Sequence, residues 1–120
     1  GYRNRAGARC RGSRIVRVLL DECLPKRLGN HLAGHVVQTV QQVGWSGVTN
    51  GALLRRIGGA FDAFVTIDGN LSAQQDLRTI SFGLIVLKAR SNKPTDVVPL
   101  APAILTALQT LQPGQVVLVS

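Results

Sequence analysis

Apolar residues come in five short runs along the chain, at 15–20, 36–40, 63–67, 82–87 and 115–119. Each is rich in Val, Ile, Leu or Phe, the residues that suit a pleated, buried strand. FGLIVL, in the fourth run, shows no alternation of apolar and polar positions. That is expected of a strand covered by helices on both faces.

Between the runs the period changes. Residues 24–32 read as a short helix, with Pro25 tolerated in the first turn and Gly34 past the end. Residues 50–57 read as a helix capped by Asn50, with Leu53, Leu54 and Ile57 as its apolar face and Gly58-Gly59 as its stop. Residues 72–77 allow one or two helical turns. Residues 96–111 carry a helical pattern whose regular part begins near Pro99 or Pro102, and Pro113-Gly114 ends it. This strand–helix repetition predicts an α/β fold, a three-layer α/β/α sandwich around a parallel sheet of about five strands. The connections are long enough for right-handed crossovers. In such folds ligand sites lie beyond the carboxyl ends of the strands, near a reversal of strand order.

Composition narrows this to one domain. The chain has 120 residues, is 45% hydrophobic and 17% charged, and has few aromatics, so its core is built from Val, Leu, Ile and Ala. A net charge of +8 suggests a polyanionic partner, but its distribution weakens the point. Arg3, Arg5, Arg9, Arg11, Arg14 and Arg17 precede every acid, whereas residues 18–120 hold eight Lys or Arg against six Asp or Glu. Residues 1–14 are therefore expected to be a basic tail, able to touch phosphates or simply leader residues, ahead of a domain over 15–120. The chain has no Met, so its native start is not visible in it. Cys10 and Cys23 form no CxxC pair, which argues against a disulfide framework and for a reducing, cytoplasmic setting. No apolar run approaches the roughly 18 residues of a membrane span, and no signal-peptide pattern is present.

The acids carry the chemistry. Asp21 and Glu22 close the first run in LLDECLP, and Asp68 closes the third in VTIDGN. In a parallel sheet both lie at the carboxyl edge. If the two strands are neighbours, Asp21 and Asp68 converge as oxygen ligands for a hard divalent cation. Asn70 adds a neutral oxygen, and Asp76 either faces the cleft or is solvated. The plain alternative stays open, because Asp and Gly also favour ordinary turns. Asp62 precedes a strand and reads as structural on the opposite edge, and Asp96 reads as a helix cap. His31 and His35 flank Gly34 with no HExxH, so no zinc site is expected. GGAFD lacks the Lys and Ser/Thr of a phosphate loop, and no nucleophilic triad is evident. Cys23 reads as a small half-buried residue rather than a nucleophile. Trp45, in GWSG, either packs its loop over the sheet edge or stacks on a base. Lys26, Arg27, Lys88, Arg90 and Lys93 are candidate phosphate contacts. Arg90 is favoured because it follows the fourth strand and has forked donors.

VRVLLDECLP, VQQVGWSGVTNGALL, FDAFVTIDGNLSAQQDL and KARSN, in that order and spacing, resemble the PIN-like DUF5615 family, related to the PIN nuclease domains of bacterial toxin–antitoxin toxins. The resemblance covers nearly all of residues 16–119. It implies a PIN-like sandwich and a Mg²⁺- or Mn²⁺-dependent ribonuclease with three or four clustered acids. It also implies an RNA substrate and an antitoxin protein as partner, and leaves a homodimer open. On this resemblance Asp21 matches the acid after the first strand. Asp68 matches the Asp of the T-x-D motif, here Thr66-Ile67-Asp68, with Thr66 supporting the loop. Asn70 falls where some PIN proteins carry a further Asp, and Arg90 and Asn92 fall in a distinctive part of the pattern.

The implied site is thus Asp21 and Asp68 on the metal, with Glu22 and Asn70 completing the catalytic set. Arg90, Lys26, Asn92 and Thr66 lie on the substrate side. One departure matters. The family often reads NGELL where this chain has Asn50-Gly51-Ala52-Leu53-Leu54, and Ala52 can neither bind a cation nor orient water. Either Glu22 substitutes or this copy is inactive, by nature or by an introduced change. The alternative reading is a non-catalytic module that binds RNA or an antitoxin. A receiver-like phosphoacceptor domain, which also places acids at strand ends, is a third.

Overall fold

The computed structural model describes residues 14–69 and 80–120. Asn70, Asp76 and the turns expected at 72–77 lie outside the described residues. All five expected strands form: β1 (Arg17–Leu20), β2 (Val36–Thr39), β3 (Ala63–Thr66), β4 (Gly83–Leu87) and β5 (Val116–Val119). They make one parallel sheet in the order β2-β1-β3-β4-β5. The order reverses between β1 and β3, so that adjacent pair is the switch point at which doubly wound sheets open a crevice.

Alternate residues of each strand serve opposite layers. Val18, Leu20, Ala63, Val65, Ile85 and Leu87 pack on one face with Leu24, Leu28 and Leu32 and with Val97, Ala101, Ile104 and Leu108. Leu19, Phe64, Leu84 and Val86 pack on the other with Leu53, Leu54, Ile57 and Phe61. The first face is covered by a 3₁₀ turn, Lys26–His31, and by two helices, α2 (Pro94–Val97) and α3 (Ala101–Thr110). The second is covered by α1 (Asn50–Ile57). The result is the three-layer α/β/α sandwich expected, with its helices on both faces of a parallel sheet.

The faces fix the relative hand of the crossovers. The connections β1 to β2 and β4 to β5 run in opposite directions across the sheet, yet both lie on the first face. They therefore have opposite hands. The connection β2 to β3, through α1 on the second face, shares the hand of β1 to β2. Since about 98% of such crossovers are right-handed, the β4–β5 connection is the exception, although its length permits the usual hand.

Three local expectations also change. Residues 24–32 do not make an α-helix. Gly29 and Asn30 are poor helix formers, and the segment tightens into 3₁₀ bonds from Leu28 N to Pro25 O (3.1 Å) and Leu32 N to Gly29 O (3.2 Å). Thr49, not Asn50, caps α1: its backbone is extended and its hydroxyl accepts from Ala52 N at 3.4 Å. Asp96 does not cap a helix. It sits inside α2, whose cap is Lys93, and accepts from the Ser91 hydroxyl.

Candidate functional site

β1 ends in Asp21 because the ladder stops there. Asp21 N still donates to Val65 O (2.9 Å), while Leu24 N turns back to Asp21 O (3.0 Å). The loop thereby leaves the sheet with the Asp21 side chain at the carboxyl edge. On the neighbouring strand, Thr66 is fully buried. Its hydroxyl donates to Asp21 Oδ2 at 2.6 Å and accepts from Asp68 N at 3.0 Å. One hydroxyl thus ties together the two loops that carry Asp21 and Asp68. Asp21 Oδ1 accepts from Glu22 N at 2.8 Å. Among the described residues both Asp21 oxygens take neutral donors, with the Cys23 thiol also beside them, and a carboxylate so placed keeps lone pairs for a further partner.

The flanking loops brace this centre. Gln41 Nε2, beyond β2, donates to Glu22 O at 3.0 Å, and Asn92 Nδ2, beyond β4, donates to Cys23 O at 2.7 Å. Cys23 is half-buried beside Asp21. Burial first, and the Asp21 charge second, push its thiol above the usual cysteine range. It stays protonated at neutral pH, which agrees with a packing role and not with a nucleophile.

The expected site residues therefore separate. Asp21, Glu22 and Asp68 lie at one edge of the β1–β3 pair. Thr66 is too deeply buried to touch a substrate, so it acts on Asp21 and the Asp68 loop. The amide of Asn92 holds two loops together. Lys26 and Arg90 are exposed at the same edge. Asn70 lies outside the described residues. Ala52 occupies the third position of α1, three residues after the Thr49 cap. There a Glu would reach back to the cap's own N–H, as in a capping box. Position 52 thus has a structural use for an acid as well as the catalytic one the resemblance implies. Gln41 was missed by sequence reading, and nothing in its local sequence marks it: its role exists only once β2 lies beside β1.

Trp45 meets Phe61 edge-on, with ring centroids 6.1 Å apart, and packs against the second-face core. The packing alternative holds for it. Asp62 forms a forked ion pair with Arg17 at the opposite edge of the sheet, at 3.0 Å and 3.1 Å, as its place before β3 suggested.

Among the described residues no group of three or more His, Cys, Asp or Glu side chains is placed to hold a metal. Mg²⁺ does not require one. It commonly takes one or two carboxylates and fills its octahedron with waters and substrate phosphates. Asp21 and Asp68, on adjoining loops, are the residues here that could serve such a sparsely held hard cation. No helix among the described residues is long and apolar enough to cross a membrane. Set against known protein families, curated proteins and solved structures, the chain matches none.

Proposed function

We propose that the carboxyl edge of β1 and β3 is the centre of a divalent-metal-dependent ribonuclease of PIN-like type, acting as the toxin of a toxin–antitoxin pair. What carries the reading is the linkage of Asp21 and the Asp68 loop through the buried Thr66 hydroxyl at the switch point of the sheet. A strand-end turn does not need a fully buried hydroxyl to orient its carboxylate. A carboxylate that ligates a metal is commonly oriented by a hydrogen-bonding partner of this kind behind it.

In this reading Asp21 and Asp68 hold Mg²⁺ or Mn²⁺, which when bound supplies an activated water and offsets charge on the scissile phosphate. Thr66 fixes the rotamer of Asp21. Glu22 is exposed beside it and is the residue available to orient a water or accept its proton. Arg90 and Lys26 draw the polyanion to an edge that carries carboxylates, and Arg90 suits phosphate through its forked donors.

A second reading has its own support. Ala52 stands where the resemblance leads to a Glu, so the acid that the family often carries at that position is missing. A module that binds RNA or an antitoxin without cleaving would have this form. The receiver-like alternative shares the strand order, but a regular doubly wound domain would carry its β4–β5 crossover on the second face.

The deciding experiment is cleavage of labelled single-stranded RNA and total tRNA in Mn²⁺, in Mg²⁺ and in EDTA. Wild-type protein is compared with Asp21→Asn and Ala52→Glu. Metal-dependent cleavage lost in Asp21→Asn supports the nuclease. Cleavage only in Ala52→Glu assigns position 52 to the catalytic set. Binding of RNA with no cleavage by any of the three supports the binding module.

A further inference from the structure

Next to the acid centre lies a groove of about 360 Å³ lined by Leu24, Lys26, Thr39, Gln41 and Gln42. It begins in the Asp21 loop itself, since Leu24 N donates to Asp21 O and Gln41 Nε2 to Glu22 O. Its size falls at the lower end of the roughly 300–1,000 Å³ of small-molecule sites. That is room for one nucleotide rather than for a duplex.

The polar groups of the groove are held in place on one side and keep hydrogen-bonding capacity open on the other. Gln42 Oε1 accepts from Thr39 N at 2.8 Å, and Thr39 Oγ1 accepts from Gln42 N at 3.1 Å. This reciprocal pair pins Gln42 against the end of β2. It leaves the Gln42 Nε2 hydrogens without a partner among the described residues. Thr39 is 5% exposed, and its hydroxyl hydrogen has no acceptor among those residues either. Gln41 uses its Nε2 on Glu22 O, which leaves its Oε1 as an acceptor. Lys26 is in no ion pair among the described residues and adds a cation at the rim. Leu24 gives an apolar surface for a ring face. The groove thus offers donors from two side chains, one acceptor and one cation.

In its number of donors and acceptors, a pyrimidine edge is the complement of that set. Cytosine and uracil each present two acceptors and one donor on the edge that pairs. Guanine presents one acceptor and two donors there, and adenine one acceptor and one donor. We propose that this groove is a pyrimidine-nucleotide subsite, taking the base edge on Thr39, Gln41 and Gln42 and a neighbouring phosphate on Lys26. The inference rests on the nucleic-acid reading of the acid centre and adds a base preference to it. It needs unpaired RNA, because a base in a duplex has this edge occupied.

The test is an NMR titration of the full chain with CMP, UMP, AMP and GMP, without metal, following the side-chain amides of Gln41 and Gln42. The expected result is that CMP and UMP shift these amides and bind tighter than AMP and GMP. Gln42→Glu keeps the oxygen that holds Thr39 N but replaces the donor with a carboxylate, and it should abolish the pyrimidine preference. Lys26→Ala should weaken all four by roughly two- to fivefold, as for one exposed charge contact. Equal binding of all four, no amide shift at millimolar nucleotide, or an unchanged preference in Gln42→Glu overturns the proposal. The outcome is separable from cleavage. RNA hydrolysed with silent glutamine amides leaves the nuclease standing and removes the groove. A pyrimidine preference with no hydrolysis keeps the groove on a binding module.

Discussion

The two edges of the sheet treat their charges in opposite ways. At the amino edge Asp62 is clamped by the Arg17 guanidinium and by Arg17 N. Arg14 donates to Leu108 O at 2.9 Å and to Leu111 O, capping the end of α3. His35 Nδ1 accepts from Val16 N at 3.0 Å. At the carboxyl edge the partners of Asp21 among the described residues are neutral: the Thr66 hydroxyl, the Glu22 N–H and the Cys23 thiol beside it. Both edges contain acids of ordinary sequence appearance. A carboxylate with an Arg in its grip is already neutralised. One oriented by neutral donors keeps its charge for something that arrives. The comparison therefore separates structural from candidate functional acids by their partners, not by their exposure.

The sharpest way to break this comparison is at Asp21. Asp21→Asn should lower metal-dependent cleavage by more than about a hundredfold, beyond the range for residues that merely orient a ligand. Its denaturation midpoint should stay close to wild type. Unfolding instead of inactivation would make Asp21 another structural acid.

Thr66→Val comes next and should touch both properties. Cleavage falls by about 10- to 100-fold as Asp21 loses its brace. Stability falls by about 1–3 kcal/mol, because the substitution also removes the acceptor used by Asp68 N. A urea titration paired with a cleavage assay reads both.

Gly83→Ala probes the amino end of β4. An added Cβ would lie 2.2 Å from Leu111 Cγ and 2.5 Å from its Cδ2. Stability should drop by about 1–3 kcal/mol from overpacking, with cleavage per folded molecule unchanged. Lost activity in a fully folded Gly83→Ala protein would show that the edges are coupled.

The amino edge should also respond to pH. Burial first, and the charge of Arg14 second, lower the pKa of His35 below 6.5, and its Nδ1 accepts an N–H only when neutral. The unfolded chain then binds more protons between the lowered value and 6.5. Stability is therefore full above 6.5 and declines as pH falls from there toward the folded value. Denaturation at pH 7.5 and 5.5 should show this slope in wild type and not in His35→Gln.

The smallest effect is expected at Asp62, which shares an exposed pair with Arg17. The Arg17 guanidinium holds the Asp62 carboxyl below its usual 3.8. Its contribution is present above that pH and disappears as pH falls through the lower folded value. Asp62→Asn should differ slightly from wild type at neutral pH and match it in strong acid, with solvent screening keeping the difference small.

The strands and their carboxyl ends were legible in the sequence alone. The run at 82–87 is too short for a helix of usual length and too apolar for an exposed strand, and the placement of Asp21 and Asp68 at strand ends follows from the pattern of such runs. Local competition decided the errors nearby. Thr49 outdid Asn50 as a cap by one residue, and Gly29 with Asn30 turned an expected α-helix into 3₁₀. Which strand lies beside which was settled by the folded core alone. The adjacency of β1 and β3 joins Asp21 to the Asp68 loop through Thr66, 45 residues away in the chain. The unusual face of the β4–β5 crossover, the Gln41 brace and the Thr39–Gln42 groove depend on the same kind of contact. Periodicity records which side of an element is buried, but pairing between distant segments is settled by the fit of the whole core, and no local pattern carries it.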